Sequence, residues 1–168
     1  MSSVKRKIMK IVAVVIGIFA LLNLFWFGWR QIRYSAFTDG MEQTELSTPL
    51  VPRYAVKDRD SFDYSVKWPD YLSFTGNLAV GFPGTSDDPF TDGLIIWPKI
   101  FGGYEYGVIL NDPNDPSNGY MFYITPDGRA IDAEYQEIAV QCRTTIKELL
   151  ERANEYWEIK NNEMEVFA

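Results

Sequence analysis

Three parts of the chain differ in how hydrophobic and polar positions follow one another. Residues 11–29 carry no charge, residues 61–131 contain short runs in which apolar and polar positions alternate, and residues 135–157 repeat apolar positions every three or four. These patterns are typical of a membrane span, of strands and of an amphipathic helix, in that order. They predict an α+β chain: one N-terminal transmembrane helix, then a mostly antiparallel sheet of about five strands packed on a C-terminal amphipathic helix.

The apolar run from Ile11 to Trp29 is long enough to cross a bilayer. As an α-helix its 19 residues would rise about 28 Å, close to the ~30 Å of the hydrocarbon core. A helix of a soluble core would carry a polar stripe, which this run lacks apart from Asn23. A cleaved signal peptide is the other alternative, but small residues usually mark its cleavage site. Here Phe25 to Trp29 is bulky and aromatic, as expected at a membrane interface, so we expect a retained anchor.

Basic residues on the two sides of this run predict its orientation. Lys5, Arg6, Lys7 and Lys10 precede it, and Arg30 and Arg33 follow it. Because the more basic flank usually stays in the cytoplasm, residues 1–10 are expected to be a cytoplasmic tip and residues 11–29 a single-pass span. Residues 30–60, which lack a sustained period, are expected to be a spacer. Residues 61–168 are expected to form an extracytoplasmic domain on the outer side of the cell membrane.

The alternating runs predict which side chains share a face of the sheet. Pro98 argues against a long central strand, because proline donates no ladder hydrogen bond, and Gly76 predicts a bulge or bend. Residues 83–93 and 126–128 are rich in turn formers. The apolar positions expected together are Phe62, Tyr64, Val66 and Trp68 in the first run, Leu72, Phe74, Leu78, Val80 and Phe82 in the second, and Tyr104, Tyr106, Val108 and Leu110 in a later one.

The C-terminal repeat predicts one amphipathic helix that ends near Ile159. Asp132 is the expected N-cap, because its carboxylate can accept from a free N–H of the first turn. Two pairs of opposite charge four residues apart, Lys147 with Glu151 and Glu148 with Arg152, should lie on the exposed side. The apolar stripe consists of Tyr135, Ile138, Ala139, Cys142, Ile146, Leu149, Leu150, Ala153 and Trp157.

Charge divides the chain unevenly. All 23 acidic residues lie after residue 33, together with 10 of the 16 basic ones, so this part has a formal charge of 10 − 23 = −13. Such a domain is repelled by nucleic acid and by anionic lipid. The charge therefore argues against a nucleic-acid partner. It favours a protein partner with a basic surface, a cation, or simple solubility.

The chain contains no histidine and one cysteine, Cys142. The absence of histidine excludes Ser-His-Asp and Cys-His nucleophile systems and, with a single thiol, the usual zinc sites. Cys142 lies in the apolar stripe, so we expect a small buried hydrophobic residue and not a reactive thiol. We therefore expect no enzyme activity, no cofactor and no bound metal.

Acidic residues gather in two predicted loops. Clustered oxygens of this kind can hold Ca²⁺, but the EF-hand spacing is absent, and Asp and Asn also make ordinary turns. We therefore expect solvated turns that border a partner-binding surface. The loop residues are Asp87, Asp88, Asp92, Asp112, Asn114 and Asp115.

Aromatic residues supply the other candidates for partner binding, since Tyr and Trp are enriched in protein interfaces. Tyr104 and Tyr106 flank Glu105 in a predicted strand, so Glu105 faces away from them. Tyr123 alternates out of phase with Phe122, so one of these two is expected to face outward. No spacing supplies the second carboxyl group that a glycosidase-like role for Glu105 would need. These positions, with core packing as the alternative, complete the predicted binding surface.

The layout resembles that of the TipC-type immunity proteins of Gram-positive bacteria. The features that carry the resemblance are the anchor Ile11–Trp29 and the strand region "DYLSFTGNLAVGF" through "GLIIWPKIFGGYEYGVIL". Members of that family lie on the outer side of the membrane and neutralise a toxin exported by a type VII secretion system. The resemblance implies an antiparallel sheet whose exposed concave face receives the toxin. It covers most of the chain but contains no motif that assigns a role to an individual residue.

The leading hypothesis is thus a membrane-anchored extracytoplasmic protein that binds and neutralises an exported toxin by covering its working surface. Two alternatives remain at the level of sequence. One is a carboxylate-dependent enzyme of the cell envelope. The other is an accessory subunit of a membrane complex.

Overall fold

The structure is a computed structural model that describes residues 3–84, 92–112 and 115–159. It contains two compact units, Met1–Ala36 and Phe37–Ala168. The first unit is formed by the helix α1 (Ser3–Tyr34), which is long and apolar enough to span a membrane. Within α1, the Asn23 side-chain amide donates to the Phe19 carbonyl at 2.8 Å. A polar group inside an apolar span is thereby satisfied by its own helix.

The second unit is an antiparallel sheet followed by short helices. Each strand pairs with the next one along the chain, so the seven strands form a simple meander. A 3₁₀ helix (Ser35–Thr38) precedes the sheet and another (Ala133–Tyr135) follows it. The strands and helices are β1 (Glu42–Gln43), β2 (Arg53–Arg59), β3 (Phe62–Lys67), β4 (Asn77–Gly81), β5 (Gly93–Pro98), β6 (Tyr104–Asp112), β7 (Asp115–Ile124), α2 (Gln136–Gln141) and α3 (Arg143–Trp157).

The fold class is α+β as predicted, but the sheet has seven strands and the expected number of five is wrong. The two additional strands, β1 and β2, lie within the stretch that was expected to be a spacer. β1 is only two residues long, too short to show a period. In β2 the pairing with β3 shifts between Val56 and Arg59. Because a bulge places consecutive side chains out of alternation, the period that identifies a strand is lost there.

The core lies between one face of the sheet and the C-terminal helices. Phe62, Tyr64, Val66 and Trp68 are all buried, as their alternation predicts. The Tyr64 ring stacks on Tyr156 at 4.4 Å and meets Trp157 edge-on at 5.7 Å, so α3 covers this face. The prediction fails for Leu72 and Phe74, which are exposed. They precede β4 and lie in the loop that connects it to β3, where no ladder constrains them.

The predicted C-terminal helix is interrupted. It begins as a 3₁₀ turn, continues as α2, and bends at Cys142 before α3. Asp132 occupies the predicted N-cap position with extended backbone angles, but its side chain does not make the expected capping hydrogen bond. Lys147 pairs with Glu151 at 3.5 Å as predicted.

At the end of α3, Arg152 forms an ion pair with Glu155 at 3.1 Å, three residues further on. The Trp157 indole N–H donates to the Phe37 carbonyl at 3.1 Å. This hydrogen bond is buried and joins the first residue of the second unit to its last long helix.

Candidate functional site

The candidate site is the face of the sheet opposite the core, which we call the open face. Strand register places one row of side chains across it, because Ala55 pairs with Ser65, Ser65 with Ala79, Ala79 with Ile95, Ile95 with Gly107, and Gly107 with Tyr123. Strand residues two apart share a face, so Ile109 and Met121 belong to the open face as well. Met121 and Tyr123 are 61% and 50% exposed, whereas their neighbours Phe122 and Ile124 are buried.

An aromatic pair marks the β5–β7 side of the open face. The rings of Trp97 and Tyr123 lie 5.6 Å apart. Gly107, on the strand between them, leaves the space for this contact, since a Cβ atom there would lie 2.9 Å from Cζ3 of Trp97. Glycine in a strand often marks such a close approach. The missing side chain at Gly107 therefore leaves room for the Trp97 ring.

Two shallow depressions flank this pair. One, of about 380 Å³, lies over β2–β6 and is floored by small residues, among them Ala55, Ser65, Ala79, Gly81 and Gly93. The other, of about 440 Å³, lies at the start of β6 and the end of β7. Its lining includes Lys99, Tyr104, Glu105, Tyr106, Tyr123 and Asp132.

Four of the residues predicted to bind a partner therefore meet in one depression. Tyr123 is the outward-facing member of the pair Phe122 and Tyr123, which the alternation left open. Glu105 faces away from the core and forms an exposed ion pair with Lys99 at 3.3 Å. Tyr106 is only 6% exposed, so its ring belongs to the core side, and Tyr104 lies beside it with ring centres 6.3 Å apart.

Three of the predicted acidic residues accept hydrogen bonds near the ends of β5, β6 and β7. Asp92 accepts from the Asn111 backbone N–H at 2.7 Å, and Asp112 accepts from the Tyr120 hydroxyl at 2.9 Å. Asp115 accepts from the Asn118 side chain at 2.6 Å. The hydrogen bond to Asp112, followed by the charge of that carboxylate, raises the pKa of Tyr120. Asp112 and Asp115 thus lie at the ends of strands and not in a loop as predicted, and all three carboxylates have partners within the fold.

Asp87, Asp88 and Asn114 lie outside the described residues. Within residues 3–84, 92–112 and 115–159, no three His, Cys, Asp or Glu side chains are grouped so that they could hold a metal ion.

Cys142 lies at the bend between α2 and α3 and is partly buried. Burial raises the pKa of its thiol, and the charges of Asp92 and Asp112 raise it further. A nucleophilic cysteine needs the opposite shift. The shift therefore disfavours the thiolate, and the side chain is only partly buried where its place in the apolar stripe predicted burial.

One apolar run does not show by alternation which of its side chains lie on the open face. The run "LIIWP" is apolar at every position, which is equally compatible with a strand buried on both faces. In the structure Leu94 and Ile96 are fully buried, whereas Ile95 and Trp97 lie on the open face. No protein-family model matches this chain, and no curated protein or solved structure matches it either.

Proposed function

We propose that this chain is anchored in the cell membrane with its sheet on the outer side of that membrane. It binds a protein partner through the open face of the sheet. The observation that carries the proposal is the group of apolar and aromatic side chains on the β5–β7 side of that face, among them Trp97, Met121 and Tyr123. Contiguous apolar surface beside polar residues is typical of protein interaction sites. The resemblance to TipC-type proteins supports an exported toxin as the partner.

Binding by such a surface would neutralise a toxin by occlusion. The floor of small residues lets a partner's backbone approach the sheet closely, and the Trp97–Tyr123 pair offers two rigid aromatic anchors. Aromatic side chains that lose little conformational freedom dominate many interfaces. The domain's charge of −13, from the count given above, would speed association with a basic partner and would make that rate depend on salt.

The chemistry of the described residues supports binding over catalysis. The Glu105 carboxylate is engaged by Lys99 in solvent, and the pKa of Cys142 is shifted away from reactivity. A general acid or base needs a pKa tuned towards neutrality, which burial or a like charge would supply. The open face offers shape and apolar contact instead.

The proposal is tested by co-expressing the chain with the product of its neighbouring gene, exported to the same side of the membrane. Tyr123→Asp places a charge in the aromatic pair, and a loss of about 2 kcal/mol, or roughly 30-fold in affinity, is expected for an interface anchor. Val140→Asp is the matched control, because Val140 is 70% exposed on α2.

Relief of toxicity and complex formation should be lost with Tyr123→Asp and kept with Val140→Asp. If the unsubstituted chain relieves no toxicity and forms no complex, the proposal fails. If both variants protect equally, the open face is not the binding surface.

A further inference from the structure

The two ends of the sheet carry very different connections. In a meander, alternate connections lie at the same end of the sheet. The connections 44–52, 68–76 and 99–103, which join β1 to β2, β3 to β4 and β5 to β6, therefore share one end, which we call the apolar end. The strand termini that border the other three connections share the opposite end, which we call the acidic end. Of those connections, the structure describes residues 60–61, 82–84 and 92.

Large hydrophobic side chains project into solvent at the apolar end. All three connections contribute, and the exposure is greatest at Phe101, at the tip of the β5–β6 hairpin. At the acidic end, the described residues include no exposed large hydrophobic side chain. The exposed fractions at the apolar end are Phe101 92%, Leu46 75%, Leu72 54%, Leu50 51%, Ile100 46%, Tyr71 39% and Phe74 37%.

Backbone hydrogen bonds hold these side chains outward. In the β5–β6 hairpin the Lys99 N–H donates to the Gly103 carbonyl at 3.0 Å, and the Gly102 N–H donates to Lys99 at 3.3 Å. Gly102 and Gly103 supply the positive φ angles that this tight turn needs. In the β3–β4 connection, Leu72 itself has a φ of 61°, a costly conformation for a branched side chain. The exposure is therefore built into the turns.

Charge follows the same division. Counting each connection with the strand residue on either side, the apolar end has three basic and two acidic residues, 3 − 2 = +1. Among the described residues, the acidic end has one basic and four acidic residues, 1 − 4 = −3. The apolar end therefore adds nothing to the repulsion expected between this domain and an anionic bilayer. A neutral end with exposed apolar side chains can enter a bilayer interface while the acidic end points away from it.

The chain between the span and the sheet is short. Seven residues separate Tyr34, the end of α1, from Glu42, the start of β1. Even fully extended, this link reaches at most about 28 Å. A domain tethered so closely to a bilayer meets it at a high effective concentration, so that weak interfacial contacts are sufficient to orient it.

We propose that the apolar end is a membrane-contacting surface, in which Phe101 and the exposed side chains of the neighbouring connections enter the boundary between headgroups and acyl chains of the bilayer that holds α1. Aromatic and aliphatic side chains favour that boundary. The strands would then stand away from the membrane. The part of the open face over β2–β6 would be presented sideways to a partner, and the depression at the start of β6 would lie next to the membrane surface. This inference depends on the anchor but not on the identity of any partner.

The proposal is tested with the full chain in nanodiscs. A spin label is attached to the chain, and its accessibility to colliding reagents is measured. The chain carries Cys142→Ser to remove its one native thiol. Nitroxides are attached at Phe101→Cys or at Leu46→Cys, on two different connections of the apolar end. Ser61→Cys is the matched control, because Ser61 is exposed at the acidic end and the substitution is nearly isosteric. The nanodiscs contain phosphatidylcholine alone or with an equal amount of phosphatidylglycerol.

We expect oxygen, which concentrates in lipid, to raise the relaxation rate of the two apolar-end labels several-fold more than a water-soluble nickel complex does. At Ser61 we expect the nickel complex to have the larger effect. This result is expected in both lipid mixtures. The proposal is overturned if the nickel complex reaches all three labels equally. It is also overturned if both reagents are excluded at the apolar end, since that indicates a protein contact, or if burial requires phosphatidylglycerol.

Discussion

The two faces of the sheet are made by the same strands, yet they are built on opposite principles. The inner face is filled with large side chains that are almost fully buried, such as Leu78, Leu94 and Leu110. The open face alternates small residues with a few partly exposed large ones, such as Gly107 beside Trp97. The inner face therefore supplies most of the stability of the fold, whereas the open face can change with little cost to folding.

Adjacent isoleucines in β5 provide the sharpest test of this difference. Ile96 is 0% exposed on the inner face, and Ile95 is partly exposed on the open face. Ile96→Ala leaves a cavity in the core and should lower the free energy of unfolding by about 2–5 kcal/mol. Ile95→Ala should cost about 1 kcal/mol or less. Denaturant unfolding of the full chain in nanodiscs measures both, and equal losses would contradict the division between the faces.

The contact between Gly107 and Trp97 gives the next largest effect. Gly107→Ala would place a methyl group 2.9 Å from the Trp97 ring, so the ring must move. We expect a loss of about 1–3 kcal/mol in unfolding free energy, as for overpacking. In the Trp97→Ala background the same substitution should be nearly neutral. A double-mutant cycle measures this coupling, and additive losses would show that the indole is not what Gly107 accommodates.

Period two predicted the inner face well because burial imposes it directly. Phe62, Tyr64 and Val66 alternate with polar residues, so their shared face could be read from the sequence. The open face was harder to predict, because glycine and alanine give no hydrophobic signal, and Ile95 and Trp97 look like core residues. Tyr123 was found as a candidate because it is out of phase with a buried neighbour.

The two ends of the sheet could not be predicted, because they depend on topology. Leu72 and Phe74 fit the alternation of a strand, but the strand begins only at Asn77. Once β1 and β2 are added to the sheet, the connection that contains Leu46 and Leu50 falls at the same end as Phe101. If the sheet had only five strands, that connection would not belong to it. The same miscount hides the short link between the span and the first strand.

Loss of the ion pair between Glu105 and Lys99 on the open face should have only a small effect on stability and on protection. Both side chains are about half exposed, and an exposed pair of this kind contributes about 0–1 kcal/mol. Glu105→Gln should therefore leave the free energy of unfolding and protection against a toxin nearly unchanged. The alternative of a carboxylate-dependent enzyme predicts complete loss of function with partner binding intact. Protection and complex formation, measured together for this variant, distinguish the two functions.

The smallest expected effect is on the stability of the fold, and it distinguishes the inner face from the open face only at alkaline pH. Burial on the inner face raises the pKa of Tyr64 above its ordinary value of 10.0. A group whose pKa is higher in the folded state stabilises the fold fully below its unfolded pKa, and that contribution is lost as pH rises through the folded pKa. Stability should therefore fall above pH 10 in part because of Tyr64.

Tyr64→Phe removes this ionisation and should flatten the alkaline limb, with a much smaller change at neutral pH. Tyr123→Phe, on the open face where the side chain is 50% exposed, is the matched control and should leave the alkaline limb in place. Thermal unfolding across the alkaline range measures both variants. If Tyr123→Phe flattens the limb as much as Tyr64→Phe does, burial on the inner face is not its cause.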